Sequence, residues 1–285
     1  MLQKNFYFLA RRFVAGETIE TAIRAVRQLN DEGITATLDF LGEDVSERAA
    51  ATRTREIYLE MLDSIAASSV NSNVSVKLTA MGLLVDENFC LENLLAVVER
   101  AAVNPDPFVR IDMEGSSVLE ATLRIFGRTY AQYHNVGPVL QAYMKRTSGD
   151  VERAIELGAR VRLCKGAYNE PASIAYKSMP EIRKHYLELA RELLERGTYP
   201  GIATHDHRLI RAVKEFARER CIANDRFEFQ MLYGCRPRLQ RQIVAEGYRL
   251  RVYVPFGTHW AGYFYRRVLE RRENALFALS SIFSR

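Results

Sequence analysis

The chain has 285 residues, of which 48% are hydrophobic and 26% are charged. These proportions are typical of a globular protein and allow a sizeable buried core in one large domain. No segment approaches the roughly 18 consecutive apolar residues that a membrane-spanning helix needs, and the first residues lack the features of a secretory signal. We therefore expect neither a cleaved signal nor a spanning helix.

The cysteines and the net charge narrow the class of protein further. The four cysteines are far apart and none forms a Cys-x-x-Cys pair, so we expect neither a zinc site nor a disulfide framework, and a reducing cytoplasm fits best. The net charge is +5, but the basic residues alternate with acids on predicted helices, which indicates a solvated surface. No nucleic-acid-binding motif is present, so we expect no nucleic-acid partner.

Eight short segments rich in β-branched and aromatic residues are separated by amphipathic stretches, which is the pattern of repeated βα units. The predicted strands cover residues 35–40, 74–79, 108–113, 136–142, 160–165, 201–205, 227–232 and 250–255. The predicted helices cover residues 18–30, 47–66, 91–103, 118–130, 150–157, 181–196, 208–220 and 236–246, with a last helix from about residue 261. Eight alternations in a chain of this length predict an α/β fold of the (βα)8 TIM-barrel type.

Functional residues of such a barrel are expected at the carboxyl-terminal ends of its strands, where the loops converge on one mouth. Each predicted strand carries a polar residue near that end: Asp39, Lys77, Asp112, Gln141, Arg162 with Lys165, His205, Gln230 and Tyr253. A buried lysine or aspartate is costly unless it is paired, so we expect Lys77 and Asp112 to compensate each other. A purely structural ion pair inside the barrel is the alternative interpretation.

Two cationic segments indicate anionic ligands. Arg162 and Lys165, followed by Gly166 and Ala167, suit an anionic cofactor, although salt bridges to neighbouring helices would use the same residues. On the last helix, Tyr263, Arg266 or Arg267, and Glu270 share a face, and paired guanidinium groups can bind a carboxylate. Such arginine pairs are also common on solvated helices. On physical grounds alone, a solvated helix surface without a ligand is therefore the preferred interpretation. Neither a Rossmann nor a P-loop fingerprint is present.

Several motifs that follow one another along this chain resemble those of the flavin-dependent proline dehydrogenases. They are Val76-Lys77-Leu78, Arg162-Leu163-Cys164-Lys165-Gly166-Ala167-Tyr168, Ala203-Thr204-His205, Phe227 to Gly234 (FEFQMLYG), Tyr253-Val254-Pro255-Phe256-Gly257 and Tyr263 to Arg271 (YFYRRVLER). The resemblance covers residues 35–279. It implies a distorted (βα)8 barrel of the monofunctional bacterial type that binds FAD without a covalent bond.

The resemblance also implies a division of the chain and a set of site residues. A single domain would comprise an N-terminal helical segment (1–33), the barrel core (34–257) and a C-terminal substrate-binding helix (258–285). Arg266 and Arg267 would bind the proline carboxylate, and Glu270 would hold the arginine face in place. The remaining substrate pocket would comprise Lys77, Asp112, Leu232, Tyr253 and Tyr263. Residues lining the FAD would be Gln141, Arg162, Lys165, Gly166, Ala167, Tyr168, Thr204, His205 and Gln230.

The implied reaction is hydride transfer from proline C5 to the flavin, which yields Δ1-pyrroline-5-carboxylate as the first step of proline catabolism. The family implies reoxidation by a membrane quinone and therefore a peripheral membrane contact. Two positions depart from some members of the family, which have Asn where this chain has Asp206 and Val where it has Cys164. Tyr253 favours proline over hydroxyproline as the substrate.

Three other functions remain open at the level of sequence. Lys77 or Lys165 beside an acid could form a Schiff base, as in an aldolase. His205-Asp206-His207 could contribute to the metal site of a hydrolase, although catalytic zinc usually needs about three protein ligands and few other histidines are available. A barrel that only binds small anions is the non-enzymatic alternative.

Overall fold

The computed structural model describes residues 12–263, and the strands in this part of the chain form a closed barrel of eight parallel strands in sequential order. Strand β8 pairs with β1, with Thr37 opposite Tyr253 and Asp39 opposite Pro255. The strands are β1 (Thr35–Phe40), β2 (Ser72–Val76), β3 (Val109–Ile111), β4 (Val136–Gln141), β5 (Arg162–Cys164), β6 (Gly201–Ala203), β7 (Glu228–Leu232) and β8 (Leu250–Phe256). The predicted fold class is confirmed.

Helices alternate with the strands and cover the outside of the barrel. They are α1 (Ile19–Asp31), α2 (Arg48–Ser68), α3 (Glu87–Ala101), α4 (Ser116–Tyr130), α5 (Thr147–Glu156), α6 (Met179–Arg196), α7 (His207–Glu219) and α8 (Pro237–Ala245). A further helical turn begins at Trp260, one residue before the predicted start of the last helix, and its described part ends at Tyr263. The predicted domain divisions at residues 33 and 257 stay predictions.

Local chemistry explains where several helices begin. Thr18 and Thr21 form a reciprocal capping box at the start of α1. The side chains of Asp86, Ser178 and Asp206 accept hydrogen bonds from the first turns of α3, α6 and α7. These caps satisfy backbone N–H groups that would otherwise lack partners at the helix ends.

The apolar core lies between the barrel and its helices. Strand side chains such as Leu38, Val74 and Phe229 are fully buried there against helix side chains such as Met61 and Leu189. Burial of this apolar surface is the main stabilising contribution to folding. The helices thereby fix the barrel and, with it, the relative positions of the strand ends.

Strands β2 to β6 end one to three residues earlier than predicted, so Asp112 and Lys165 follow β3 and β5 rather than lying in them. β2 ends at Val76 rather than residue 79, so Lys77 and Thr79 lie in the loop that follows. β6 ends at Ala203 rather than residue 205, so His205 also follows its strand. The neighbouring strands β3 and β5 are short, and backbone pairing of β2 with β3 and of β6 with β5 ends at Val76 and Ile202. The sequence pattern of one strand contains no information about where its partner strand ends. The polar residues therefore stand on the loops that form the mouth.

The barrel interior is unusually charged. Such interiors are ordinarily filled by branched apolar side chains. Here the buried residues include an acid from β1, an arginine from each of β3, β5 and β8, and an acid from β7: Asp39, Arg110, Arg162, Arg251 and Glu228. Because isolated buried charges are costly, these groups must pair with one another or with backbone oxygens.

The first described residues contact the carboxyl-terminal end of the barrel. The backbone N–H of Ala15 donates to the carbonyl of Pro255 at 2.9 Å, and Gly257 donates to the carbonyl of Gly16 at 3.0 Å. Phe13 packs in a small cluster with Trp260 and Tyr263. This segment therefore contributes to the mouth of the barrel.

Candidate active site

Lys77 and Asp39 form a close, buried ion pair at the mouth of the barrel. The Lys77 Nζ atom lies 2.9 Å from both Asp39 carboxylate oxygens, and Asp39 is fully buried. Tyr58 of α2 donates its hydroxyl hydrogen to the carbonyl of Ser75 at 2.7 Å, and the same hydroxyl oxygen lies 3.4 Å from Asp39 Oδ1. Asp39 thus fixes the position of the lysine ammonium group.

Asp112 connects Lys77 to three further residues. The expected contact between Lys77 and Asp112 is present, but at 3.7 Å it is longer than the contact with Asp39. Asp112 Oδ1 accepts from Arg162 Nη1 at 2.9 Å and from the Ser75 hydroxyl at 2.6 Å. Asp112 Oδ2 accepts from the Tyr253 hydroxyl at 2.9 Å. Side chains from four strands and from the loops after β2 and β3 therefore form one network.

The charges of this network balance. Asp39 and Asp112 supply two carboxylates, and Lys77 and Arg162 supply two cations. Burial acts to lower the pKa of Lys77, but Asp39 and Asp112 overcome it and hold that pKa above its ordinary value. Lys77 is therefore an ammonium ion that donates hydrogen bonds.

Tyr253 is held between the cations and the carboxylates. Lys77 Nζ lies 3.3 Å from its hydroxyl, and the Arg162 guanidinium carbon lies 5.4 Å from the ring centroid. Burial, followed by the charges of Asp112 and Asp39, raises the pKa of Tyr253 well above its ordinary value. The hydroxyl consequently remains protonated and can donate to Asp112.

Arg162 extends the network toward β7. Its Nε atom donates to Gln230 Oε1 at 2.6 Å, and Gln230 Nε2 donates to Glu228 Oε1 at 2.6 Å. Glu228 in turn accepts from Arg251 Nε at 2.8 Å. Both Arg162 and Gln230 are thus oriented by buried partners before any ligand is considered.

The end of β4 and the loop after β5 form a second part of the mouth. Gln141 donates to the carbonyl of Glu114 at 3.0 Å and accepts from the backbone N–H of Ala167 at 3.4 Å. Gly166 has a φ of +124°, and a Cβ atom there would overlap the Tyr143 ring. A glycine is therefore required for this loop to lie against Tyr143.

Lys165, which precedes Gly166 in sequence, contacts the loop that follows β6. Lys165 Nζ is 3.7 Å from Asp206 Oδ2, and Arg183 Nε donates to the same oxygen at 2.7 Å. Burial acts to raise the pKa of Asp206, but Arg183 and Lys165 hold it below its ordinary value. The Thr204 hydroxyl accepts from the backbone N–H of Asp206 at 3.1 Å. The aspartate that departs from some members of the family is thus the ion-pair partner of Lys165.

Some of the remaining predicted residues lie among the described residues and others lie outside them. His205 Nε2 accepts from the backbone N–H of Leu232 at 2.9 Å, which joins the β6 and β7 loops. Tyr263 is buried in the cluster of Phe13, Leu41 and Trp260, with Tyr253 packed against it. The Tyr168 ring lies near Gly115 at the start of α4. Arg266, Arg267 and Glu270 lie outside the described residues.

The sequence analysis did not assign roles to several residues of the network. Asp39 was named only as a polar residue near a strand end. Ser75, Tyr58 and Glu114 are not among the predicted site residues, and Glu114 accepts from the backbone N–H of Thr79 at 3.1 Å and from its hydroxyl at 2.5 Å. The spacing Asp112-x-Glu114 and the position of Ser75 two residues before Lys77 could have indicated them, because alternate residues of a strand face the same side.

The geometry disfavours the Schiff-base and metal-site interpretations. A Schiff base requires a neutral amine, whereas the carboxylates around Lys77 favour its ammonium form. The Nε2 lone pair of His205 accepts a backbone hydrogen bond, and Asp206 pairs with Arg183 while capping α7. In residues 12–263 no three His, Cys, Asp or Glu side chains are grouped as metal ligands.

The cysteine at the end of β5 is unsuited to nucleophilic chemistry. Cys164 Sγ lies 3.6 Å from the carbonyl of Leu140, and burial raises the pKa of the thiol to about 12. The thiolate, which is the reactive form, is therefore scarce at neutral pH.

None of the helices between residues 12 and 263 has the length and apolar character needed to cross a bilayer.

The comparison with family models and the comparison with curated proteins agree with each other. The family model described as proline dehydrogenase matches residues 22–279. The chain is 41% identical to Proline dehydrogenase 1 of Bacillus subtilis over 273 residues, which cover 96% of this chain and 90% of that protein. It is 38% identical to the proline dehydrogenase of Deinococcus radiodurans over 287 residues, which cover 99% and 92% of the two chains.

Among solved structures, the fold is similar to proline utilization A (PutA) from Bdellovibrio bacteriovorus, inactivated by N-propargylglycine. The TM-score is 0.87 and the identity 28%, with 94% of this chain and 33% of that chain covered. This chain therefore spans about a third of that protein's length. It also matches the bifunctional protein PutA of Escherichia coli at 28% identity and covers 24% of it.

Proposed function

The chain belongs to the proline dehydrogenase family, and on that premise we propose that it oxidises L-proline to Δ1-pyrroline-5-carboxylate with non-covalently bound FAD. Membership of this family supports proline oxidation in proline catabolism. The observation that carries the proposal is the balanced network of Asp39, Lys77, Asp112 and Arg162 at the mouth of the barrel.

The donors around the end of β5 fit an acceptor-rich cofactor such as FAD. Arg162 and Lys165 are cations, and of the two residues that follow Lys165, Gly166 is half-buried and Ala167 is exposed. Gln141 and Gln230 are fixed by protein partners and retain a second amide N–H each. When bound, FAD supplies the two-electron acceptor for a hydride from proline C5, and positive charge near its ring favours the reduced form.

The charge balance of the network indicates that other residues bind the substrate carboxylate. Because the two carboxylates of Asp39 and Asp112 already neutralise Lys77 and Arg162, the network offers no surplus cation. A proline carboxylate there would require another positive group. We assign that role to Arg266 and Arg267 by their match to the family's motif, with Glu270 holding the arginine face, because guanidinium groups can donate two hydrogen bonds each to a carboxylate.

The residues of the network then position proline. Tyr253 and Tyr263, which pack in the same cluster, would form an aromatic wall, and Leu232 would form an apolar wall. Lys77, fixed by Asp39, keeps Asp112 and Tyr253 in place. Such fixed geometry lowers the entropic cost of reaching the reactive arrangement.

Reoxidation of the cofactor by a membrane quinone, and hence a peripheral contact with the membrane, completes the proposal. It rests on the family resemblance. It predicts that a soluble ubiquinone or menaquinone analogue restores flavin absorbance after anaerobic reduction by proline.

The direct test is the absorption spectrum of the purified, FAD-supplemented protein before and after anaerobic addition of proline. We expect a retained flavin spectrum that proline bleaches. A protein that retains no flavin, or whose bound flavin proline leaves unchanged, would contradict the proposal.

Replacement of Arg266 tests the substrate site separately. Arg266→Met should raise the proline KM by about tenfold or more while FAD stays bound, because a charge-assisted pair is lost. Arg124→Met is a matched control, since the exposed Arg124 pairs with the half-buried Glu87 on the outer surface, away from the mouth. Unchanged proline kinetics in Arg266→Met would remove the carboxylate role.

A further inference from the structure

A second cavity lies at the end of the barrel opposite the candidate active site. It has a volume of about 530 Å³ and is lined by residues at or just before the starts of the strands, among them Thr35, Asn71, Asp106, Arg160, Glu228 and Arg249. We call it the amino-terminal cavity. Nothing in the proposed oxidation of proline uses these residues.

Arginine and aromatic side chains alternate in a stack that begins with Arg249, Tyr199 and Arg160 of the cavity lining and extends beyond it to Phe108 and Arg110. The Arg160 guanidinium carbon lies 4.3 Å from the ring centroid of Phe108 and 4.6 Å from that of Tyr199. Arg249 lies 5.5 Å from the Tyr199 centroid, and Arg110 lies 4.7 Å from the Phe108 centroid. Stacking occupies the faces of the guanidinium groups and leaves their N–H edges available.

Tyr199 is held in this stack despite an unfavourable backbone. Its φ is +45°, a left-handed conformation that is an outlier for a bulky residue. Its hydroxyl donates to Glu228 Oε2 at 3.2 Å and accepts from Arg249 Nη1 at 3.3 Å. Such conformations persist where surrounding contacts fix them, and they concentrate at binding sites.

The acids at this end do not neutralise all the arginines. Both Asp106 and Glu228 pair with Arg251, at 2.9 Å and 2.8 Å. Within the described part of the chain neither Arg160 nor Arg249 forms an ion pair, and Arg160 Nε is a buried donor without a hydrogen-bond partner. At longer range, Asp225 and Glu228 interact with Arg249. The cavity therefore carries a positive excess.

Arg110 behind the cavity shows the same excess. It donates to the carbonyls of Pro138 and Arg160 rather than to a carboxylate. Burial, followed by repulsion from Arg162 and Arg160, lowers the pKa of Arg110 well below its ordinary value. A negative charge in the cavity would relieve this repulsion.

We propose that the amino-terminal cavity binds a small dianionic oxyanion, a phosphoryl group or a short dicarboxylate, through the N–H edges of Arg160 and Arg249. Both ligand types present the oxygen pairs that a guanidinium group binds bidentately. The open volume accommodates a ligand larger than phosphate itself. This site is separate from the mouth and does not depend on the proposed function.

The test is calorimetric titration of the full-length, FAD-supplemented protein with inorganic phosphate and, separately, with malonate, at constant ionic strength. We expect saturable binding of at least one anion. Binding of phosphate alone identifies a phosphoryl ligand, and binding of malonate alone identifies a dicarboxylate. Absence of saturable binding by either anion would overturn the proposal.

Variants locate the binding, because an anion could also occupy the mouth. Arg249→Met and Arg160→Met should each weaken the affinity by about tenfold or more, whereas Arg124→Met should leave it unchanged. Arg249 is exposed, so its replacement is expected to fold even if Arg160→Met does not. An affinity that is unchanged in Arg249→Met would show that the anion binds elsewhere and would also overturn the proposal.

Discussion

The ammonium group of Lys77 is bound more closely by Asp39 than by Asp112, at 2.9 Å against 3.7 Å. The two acids therefore differ in what they do. Asp39 is fully buried and holds the lysine, whereas Asp112 is partly exposed and also bonds Arg162 and Tyr253. Asp39 belongs to the support of the site and Asp112 to its lining.

Removing the Asp39 carboxylate should destabilise the barrel. We expect Asp39→Asn to lower the free energy of unfolding by about 3 kcal/mol, because it leaves a buried ammonium group less well compensated. Asp39→Asn combined with Lys77→Met should cost less than the sum of the two single changes. Urea denaturation measures all three, with Glu87→Gln in the exposed pair with Arg124 as a control that should change little. Strict additivity would contradict the pairing.

Glu228 should make the unfolding free energy depend on pH. Burial acts to raise its pKa, but Arg251 and Gln230 hold that pKa below the ordinary value of 4.5. The unfolded chain therefore binds the proton first as the pH falls, so the stabilisation is complete above pH 4.5 and is lost as the pH falls through the lowered folded-state pKa.

Urea denaturation between neutral and acidic pH tests this dependence. We expect Glu228→Gln to cost about 2 kcal/mol at neutral pH, because a charged acceptor of the buried Arg251 is lost, and progressively less in acid. The exposed Glu215→Gln serves as the control. A cost for Glu228→Gln that is constant with pH would refute the assignment.

Arg162→Lys should weaken the binding of FAD more than it lowers the free energy of unfolding. A lysine could still pair with Asp112, but it cannot reproduce the simultaneous bonds to Gln230 and Asp112. We expect about a tenfold weaker affinity for FAD, measured as the flavin that remains after gel filtration and by fluorescence titration. Equal FAD affinity in Arg162→Lys and the original protein would exclude Arg162 from the cofactor site.

Gly166→Ala should be strongly destabilising. The φ of +124° is unfavourable for alanine, and the added methyl group would overlap the Tyr143 ring. We expect a loss of about 2 kcal/mol or more in unfolding free energy. Gly149→Ala in α5 is the matched control, because no atom lies within 4 Å of its added methyl group, and it should stabilise by about 0.5 kcal/mol. Similar melting temperatures for the two variants would contradict this reading of the loop.

The sequence by itself determined the eight βα units, because the periods of apolar residues in strands and helices are local properties of the chain. It also determined which polar residues stand near the carboxyl-terminal ends, since strand ends of a parallel barrel share one face. The motifs around Arg162 and Arg266 added the family. These inferences depend on neighbours in sequence and on their order alone.

Only the tertiary structure decided which charges pair. Closure of the barrel places β8 beside β1, so Tyr253 reaches Lys77 and Asp112 although 176 and 141 positions of the sequence separate it from them. Lys77 lies in the loop after β2, and its nearer partner there is Asp39 rather than the predicted Asp112. The stack of Arg160, Tyr199 and Arg249 likewise joins residues that precede three different strands. Distances between side chains on non-adjacent segments depend on register and closure, which no local pattern encodes.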